Sequence, residues 1–429
     1  MAAQRGLQVP LYDLIECLAD TIDLVSPELA DHHRRVGLIA HALAGQLGLP
    51  EEVQLDLFFA GNLHDIGALS LAERIRLMDF EVDETTGHAE TGALLLELYT
   101  PLARIADLVR FHHLNWEEGA GAVCRGQAVP LGAHILHLAD RISVLLGTAD
   151  RLRFLGRVRD IRIRIASESG GMFHPHLVES FHVLADRESF WLGLLYPPRD
   201  PAQEKRQRFR GVKLNTEGIT GLTRLFARII DFRSRFTATH SSGVAAGAEA
   251  LSRLAGRPDQ ECAQMRIAGL LHDLGKLAVP AELLEKPAKL TPQERTMIHC
   301  HTFFTHRALE KISSFAAITA WSSYHHEKID GNGYPFHVGG RDLSLGSRIV
   351  AVSDVFTAIT EDRPYRLGMD RVKAQKVINA MVSRSALDPD VVALLMDHYD
   401  DLNALRLTAQ AEAAREYGEI RGKVAVLTS

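Results

Sequence analysis

The stretch LHDLG, at residues 271–275, recurs as LHDIG at residues 63–67, and the two stretches lie 208 positions apart. The same spacing separates His240 from His32, and each of these histidines begins an HxxxV string. Self-similarity at a fixed spacing is the signature of a repeated structural unit. The sequence therefore predicts a tandem duplication, which we describe as copy one and copy two.

Further matched positions extend the repeat through both copies, with a spacing that grows because copy two has gained residues. The matched pairs are His88 with His301, His112-His113 with His325-His326, and Asp140 with Asp354. The segment 197–212 between the copies is polar and basic, which is typical of a linker. We predict an N-terminal domain over residues 1–196 and a C-terminal domain over residues 213–429.

The composition is that of an ordinary globular protein, with 46% hydrophobic residues and a net charge of −6 at pH 7. A mildly acidic chain is poorly suited to coating nucleic acid or binding an anionic membrane, so we expect no DNA binding. The four cysteines show no CxxC spacing, which favours reduced thiols and a cytoplasmic location. No apolar run reaches about 18 residues, so no membrane segment is expected.

Helical periodicity dominates both copies, and alternating strand patterns are almost absent. Apolar residues recur at intervals of three and four over residues 33–47, 53–64, 222–232, 265–274 and 371–382. The alternating stretch 157–165 is also predicted to be helical, because its counterpart in copy two is strongly helical. The predicted fold class is all-α, with two tandem helical bundles.

Copy two carries the residue types of a metal site at separate points along the chain. The candidates are His240, His272, Asp273, His301, His325, His326 and Asp354. Imidazole and carboxylate suit divalent iron, manganese or zinc, and a carboxylate can bridge two ions. Adjacent side chains on a helix point about 100° apart, so neighbouring ligands favour two ions over one. Such a pair of ions, with Asp273 as the bridge, is suited to phosphoryl transfer.

Copy two resembles an HD-GYP domain, a bacterial branch of the HD phosphohydrolases, through HDLGK at 272–276, HHEKIDGNGYP at 325–335 and RPYR at 363–366. The resemblance implies cleavage of a cyclic dinucleotide with two divalent ions, iron or manganese. One ion would be held by His240, His272, Asp273 and Asp354, and the other by His301, His325 and His326 together with Asp273. Lys276 would face the scissile phosphate, and Tyr334, Arg363 and Arg366 would contact the substrate.

Two departures from the family pattern lie in copy two. Members that bind a third ion have a Glu four residues before the first ligand His, and Phe236 stands there instead. We therefore expect two ions. The family's Gly four residues after the third ligand His is Thr305 here, which predicts a small change in helix packing.

Copy one keeps the ligand pattern but lacks the loop. A second metal site would comprise Glu28, His32, His64, Asp65, His88, His112, His113 and Asp140. Ala68 stands where copy two has Lys276, and the loop reads HHLNWEEGAGA without Gly-Tyr-Pro. Three readings stay open: a structural platform, a metal-binding regulatory module, and a second HD-type hydrolase for a linear dinucleotide or a phosphomonoester. Unpaired buried charges are costly, which favours metal binding.

The resemblance implies that copy two hydrolyses a cyclic dinucleotide to a linear dinucleotide, with Asp273 and Lys276 as its catalytic residues. Cyclic di-GMP is the first expectation for the substrate, and cyclic GMP-AMP is the second. The alternative from another class is a catalytically silent nucleotide sensor or a protein-interaction scaffold, which turnover by metal-loaded protein would exclude. Whether the chain forms a homodimer or binds a signalling partner stays open.

Overall fold

The computed structural model describes residues 6–81, 86–147, 154–196, 212–233, 239–362 and 367–427. Helices and the turns between them make up most of these residues, and the strands among them are two short antiparallel pairs and one isolated bridge. The pairs join β1 (Val9–Pro10) to β4 (Lys213–Leu214) and β2 (Val123–Cys124) to β3 (Gln127–Ala128). The predicted all-α class is confirmed. In the described chain, no helix has both the length and the apolar character needed to cross a membrane.

Copy one is built from short and medium helices. They are α1 (Leu11–Asp23), α2 (His32–Gln46), α3 (Glu51–Leu63), α4 (Leu71–Arg76), α5 (Thr86–Glu97), α6 (Thr100–Ala103), α7 (Ala106–Arg110), α8 (Leu131–Leu146), α9 (Val158–Ser167), α10 (Pro175–Ala185) and α11 (Glu188–Leu195). The stretch 157–165, whose alternation is that of a strand, lies almost entirely in α9. One face of α9 is buried through Ile161 and Ile165, which are four residues apart.

The helices of copy two repeat most of this order. They are α12 (Thr216–Phe232), α13 (His240–Leu254), α14 (Asp259–Leu271), α15 (Ala281–Leu284), α16 (Pro292–Leu309), α17 (Ala316–Ser323), α18 (Leu345–Thr360), α19 (Arg371–Ser383), α20 (Pro389–Asp397) and α21 (Tyr399–Leu427). Helix α16 begins with a capping box in which Thr291 and Glu294 each bond the other's backbone N–H. That pair satisfies two backbone donors that would otherwise be free.

The chain divides into two compact units, and both terminal segments are grouped differently from the predicted domains. One unit contains Lys213–Gly422 together with Met1–Cys17, and the other contains Leu18–Val212 together with Lys423–Ser429. Strand β1 pairs with β4, and this pairing connects residues 9–10 to the start of copy two. A two-residue strand carries no periodic signal, so the sequence placed this segment with copy one. The predicted linker, apart from residue 212, lies outside the described residues.

Equivalent helices cross in the same way in both copies. Helix α2 packs against α3 and α8 in copy one, and α13 packs against α14 and α18 in copy two. A Cβ on Gly61 would lie 2.5 Å from Gly37 Cα, and one on Gly269 would lie 2.6 Å from Ala245 Cα. Glycine is therefore required at both crossings. In each copy, the close approach brings the start of one helix beside the end of the next. His32 and His240 lie at these helix starts, and His64 and His272 follow these helix ends.

Candidate metal centres

Copy two brings all seven predicted ligands together. The ligand atoms within each of two groups lie within 4.8 Å of one another, and the groups are His240, His272 and Asp273, and His301, His325 and His326. The carboxylate of Asp273 lies 3.3 Å from His272 Nε2 and 3.4 Å from His301 Nε2. Asp354 lies 3.0 Å from His240 Nε2 and 3.9 Å from His326 Nδ1. Each carboxylate thus reaches both groups, which is the geometry that two neighbouring cations need.

Backbone carbonyls orient three of these histidines. In each case Nδ1 lies within hydrogen-bond distance of the carbonyl three residues earlier. The pairs are His272 with Gly269 at 2.8 Å, His301 with Ile298 at 2.6 Å, and His325 with Ser322 at 2.6 Å. A proton on Nδ1 leaves the lone pair of Nε2 free for a metal ion. The helical segments themselves therefore fix the ligand tautomer.

The protonation states also fit a metal centre. Burial lowers the pKa of His301 to about 3 and that of His326 to about 4. Burial alone would raise the pKa of Asp273, but His272 and Lys276 hold it well below its usual value. Neutral imidazoles and ionised carboxylates are the forms that bind divalent cations. At neutral pH His301, His326 and Asp273 are therefore in the forms that bind metal.

His240 differs from the other histidines because carboxylates flank both ring nitrogens. Its Nδ1 lies 3.1 Å from Glu361 Oε2, and its Nε2 faces Asp354. Burial lowers the pKa of His240, but Glu361 and Asp354 outweigh burial and raise it to about 10. Gln410 donates a further hydrogen bond to Glu361 at 3.1 Å. The sequence analysis did not predict a role for Glu361. The one signal for it was that Glu361 follows Asp354 by seven residues, which is about two helical turns.

Replacing Glu361 with glutamine is expected to lower the metal affinity of copy two about 10- to 100-fold, because carboxylates behind a ligand histidine strengthen it as a donor. Competition with a chelator in the full-length protein measures this change. Asp362→Asn is the matched control, since Asp362 is adjacent and exposed, and it accepts from the N–H of Gly368. Equal affinity in Glu361→Gln and wild type would show that Glu361 has no such role.

The loop that follows His325-His326 is fixed by one buried carboxylate. Glu327 is 2% exposed and accepts hydrogen bonds from the backbone N–H groups of Phe336, His337 and Val338 at 2.7, 3.1 and 3.2 Å. A Cβ on Gly333 would lie 2.4 Å from Glu327 Cα, so the two arms of the loop meet without room for a side chain. Copy one has Leu114 in place of Glu327 and cannot form this loop.

Tyr334 and Lys276 lie next to the ligands. The Tyr334 ring is 4.9 Å from that of His326 and stacks on His299 at 3.9 Å, with an interplanar angle of 7°. Lys276 Nζ is 2.5 Å from Asp273 Oδ2, and its side chain is 20% exposed. Both side chains are therefore at the mouth of the site. Arg363, Arg366 and Phe236 lie outside the described residues.

Thr305 connects α16 directly to the turn that carries His272 and Asp273. Its buried hydroxyl accepts from Gly275 N at 2.9 Å and donates to the His272 carbonyl at 3.1 Å. Copy one has Gly92 at this position and cannot make either bond. The change from the family's glycine therefore adds a hydrogen-bonded clamp at the metal-binding turn.

Replacing Thr305 with valine is expected to lower the free energy of unfolding by about 2 kcal/mol, because two buried hydrogen bonds are lost at nearly constant volume. Denaturant unfolding of the full-length protein measures this change. Thr305→Ser keeps the hydroxyl and is expected to retain most of the stability. Equal stability of the valine and serine variants would exclude the clamp.

Copy one brings seven of its eight predicted ligands into two matching groups. The groups are His32, His64 and Asp140, and Asp65, His88, His112 and His113. Six of their polar atoms are buried without a hydrogen-bond partner among the described residues: Nε2 of His64, His88, His112 and His113, and Oδ1 of Asp65 and Asp140. Buried polar atoms in folded proteins are nearly always bonded. These donor atoms converge without forming hydrogen bonds, and the histidine–carboxylate pairs among them lie 3.3 to 3.7 Å apart, so the arrangement fits a metal ion.

Glu28 is the exception, because the structure places it outside both groups. Its side chain is exposed, and its carboxylate contacts the Ser26 hydroxyl. A residue four positions before His32 shares its face only if the helix is continuous. Helix α2 begins at His32, and Asp31 before it is left-handed with φ of 61°. The chain therefore turns away, and Glu28 is withdrawn as a predicted ligand.

Comparisons with known proteins agree with this architecture. A family model described as an HD domain matches residues 16–150 and 224–391. The 3′3′-cGAMP-specific phosphodiesterase 1 of Vibrio cholerae is 30% identical over 394 residues, covering 89% of this chain and 90% of that protein. A cyclic di-GMP phosphodiesterase of Pseudomonas aeruginosa is 41% identical over 140 residues, covering 32% of this chain and 34% of that protein.

A solved structure shares the fold along nearly the whole chain. The crystal structure of a cyclic GMP-AMP-specific phosphodiesterase of Vibrio cholerae matches with a TM-score of 0.62 and 24% identity. The match covers 92% of this chain and 98% of that one. The chain therefore belongs to the HD-domain family, and its second copy carries the HD-GYP form of that domain.

Proposed function

We propose that copy two is a metal-dependent phosphodiesterase that hydrolyses a cyclic dinucleotide to a linear dinucleotide. The observation that carries the proposal is the position of Asp273 and Asp354, each within reach of both histidine groups. Two relatives that match most of the chain are 3′3′-cGAMP-specific phosphodiesterases, and shorter matches include cyclic di-GMP phosphodiesterases. These matches support 3′3′-cGAMP and cyclic di-GMP as the substrates to test first.

The proposed ligands would hold two divalent ions, iron or manganese, in the two groups described above. When bound, such ions neutralise phosphate charge and lower the pKa of a bound water molecule towards neutrality. The residues of the chain hold the arrangement before substrate arrives, since carbonyls and carboxylates already orient the imidazoles. Asp273 has the central role because its two oxygens face different groups.

Lys276 and Tyr334 are proposed to act on the substrate. The ammonium group of Lys276 is partly exposed beside Asp273, where it can stabilise negative charge that develops on a phosphate oxygen. Tyr334, stacked on His299, offers a rigid aromatic edge for the ribose-phosphate ring or a base. Arg363 and Arg366 remain proposed phosphate contacts, because an Arg fork suits phosphate geometry.

The proposal is tested by incubating purified full-length protein and ferrous or manganous ion with 3′3′-cGAMP, cyclic di-GMP and cyclic di-AMP. Chromatography is expected to reveal a linear dinucleotide from at least one substrate with wild type and none with Asp273→Ala. Absence of turnover of every cyclic dinucleotide by metal-loaded protein would favour the alternative, a silent sensor or scaffold.

We also propose that copy one binds a divalent metal through His32, His64, Asp65, His88, His112, His113 and Asp140. The support is the set of buried ligand atoms described above, which converge without forming hydrogen bonds. The full-length chain is the material to test, because residues 9–10 pair with the start of copy two. Metal analysis of His272→Ala/Asp273→Ala protein, in which copy two is disabled, should still find bound metal. Adding Asp65→Ala should remove it, and a metal-free double variant would contradict the proposal.

A further inference from the structure

His240 is oriented differently from His272, His301 and His325, whose Nδ1 atoms face backbone carbonyls. It is the first residue of α13, and Glu361 Oε2 lies 3.1 Å from its Nδ1. A backbone carbonyl in a helix is a fixed acceptor, whereas a side-chain carboxylate can rotate away from the ring. The contact with Glu361 therefore orients His240 only if other groups hold the carboxylate in place.

Two side chains of helix α21, Arg406 and Gln410, hold this carboxylate, and we call them the Arg406–Gln410 pair. Gln410 Nε2 donates to Glu361 Oε2 at 3.1 Å, and Gln410 Oε1 accepts from Arg406 Nη1. Asn403 Oδ1 accepts from the other two nitrogens of Arg406, from Nε at 3.1 Å and from Nη2 at 2.7 Å. Arg406 is 2% exposed and Gln410 is 8% exposed. A buried series of hydrogen bonds thus connects a guanidinium group to the ligand histidine.

The Arg406–Gln410 pair also packs against the first turn of α13. A Cβ on Gly243 would lie 3.1 Å from Gln410 Cδ and 3.2 Å from Arg406 Cγ. Gly243 is three residues after His240, so it belongs to the helical turn that carries the ligand. The pair is therefore in contact with the backbone that positions His240, as well as with the carboxylate that orients its ring.

The donor and acceptor roles in this series are determined by its charged end. A guanidinium group has only donors, so the Gln410 atom that faces Arg406 must be the amide oxygen. The amide nitrogen of Gln410 must then face Glu361 and donate to it. If the amide turned round, its oxygen would face the carboxylate, and two acceptors cannot form a hydrogen bond. Arg406 therefore determines which way Gln410 faces, and Gln410 holds Glu361 against the ring.

We infer that Arg406 and Gln410 are positioning residues for the metal ligand His240. They hold Glu361 Oε2 against Nδ1, so that the ring presents Nε2 to a divalent cation, on the side where Asp354 Oδ1 lies 3.0 Å away. This inference rests on the proposal that copy two binds metal. Partners behind a ligand histidine raise metal affinity because they fix the orientation of the ring. Helix α21, which supplies no ligand itself, would thereby contribute to the affinity of the site.

The test measures manganese affinity by competition with a chelator in full-length Asp65→Ala protein, in which copy one is disabled. Arg406→Met removes the donor that determines the orientation of Gln410, and it is expected to weaken manganese binding about three- to tenfold. Gln410→Met leaves Arg406 bonded to Asn403 and is expected to weaken binding by a similar factor. Arg406→Lys keeps a cation that can only donate, and it should bind manganese within about twofold of the parent.

Two further variants separate this role from a general effect on folding. Arg415→Met is the matched control, because Arg415 is exposed on the same helix, and it should bind manganese as the parent does. In a Glu361→Gln background, Arg406→Met is expected to cause no further loss, because both residues act through one contact.

The outcomes also separate this inference from the proposal on which it rests. Unchanged manganese affinity in either Arg406→Met or Gln410→Met protein would overturn this inference alone. An additional loss from Arg406→Met in the Glu361→Gln background would overturn it too, because the guanidinium would then act by another route. A parent protein that binds no manganese would overturn the metal proposal for copy two, and this inference with it.

Discussion

Asp273→Asn is expected to reduce hydrolysis of the cyclic dinucleotide on the order of 10³-fold or more. Asp273 faces His272 with one oxygen and His301 with the other, so a single side chain serves both ligand groups. Asparagine keeps the shape but loses the charge that two cations require. Steady-state kinetics at saturating metal, together with metal content, measures the effect.

Copy one supplies the matched control for this prediction. Asp65→Asn makes the same change at the equivalent position, next to His64 and His88. Hydrolysis by copy two is expected to stay within about twofold of wild type. Comparable losses from both variants would mean that the two centres act together, which would contradict the assignment of hydrolysis to copy two alone.

Lys276→Gln is expected to lower kcat about 10²- to 10³-fold with little change in KM, because its charge is needed most when negative charge develops on phosphate. Lys276 is in a position to contact a bound phosphate, because its Nζ lies 2.5 Å from Asp273 Oδ2 and its side chain is partly exposed. Kinetics with the substrate that the wild-type enzyme prefers measures the two constants separately.

Two further variants make the result for Lys276 decisive. Lys286→Gln removes a cation of similar exposure that pairs with Glu294, and it should leave kcat unchanged. Lys276→Arg keeps the charge and should recover part of the lost rate. A Lys276→Gln protein with wild-type kcat would show that the ammonium group only neutralises Asp273 in the resting site.

The two copies have equivalent ligands but differ in the residues that contact or adjoin them. In copy two, Nδ1 of the first ligand histidine, His240, contacts the Glu361 carboxylate. In copy one, Nδ1 of the equivalent His32 contacts the Ser143 hydroxyl at 3.1 Å. Copy two presents Lys276 and Tyr334 at the mouth of its site. Copy one lacks both, and Arg141 there donates hydrogen bonds to the backbone carbonyls of residues 77, 79 and 80. The two copies therefore differ more in the residues around the ligands than in the ligands themselves.

Local spacing predicted much of this molecule, because helical periodicity and ligand order are properties of short segments. Such segments were enough to predict the all-α class, the repeat and the candidate ligands of copy two. The prediction failed at Glu28 for a local reason that spacing does not reveal. Four residues place a side chain on the same face only within a continuous helix, and the left-handed Asp31 ends that continuity.

The sequence by itself determined that there are two helical copies, each with histidines and aspartates in one order, and that copy two alone has the Gly-Tyr-Pro loop. Only the tertiary structure decided how the ligands divide into two groups, because that division depends on helices meeting at glycine crossings far apart in sequence. It also placed the Glu361 carboxylate behind His240, because this contact depends on how two helices pack and not on any local pattern.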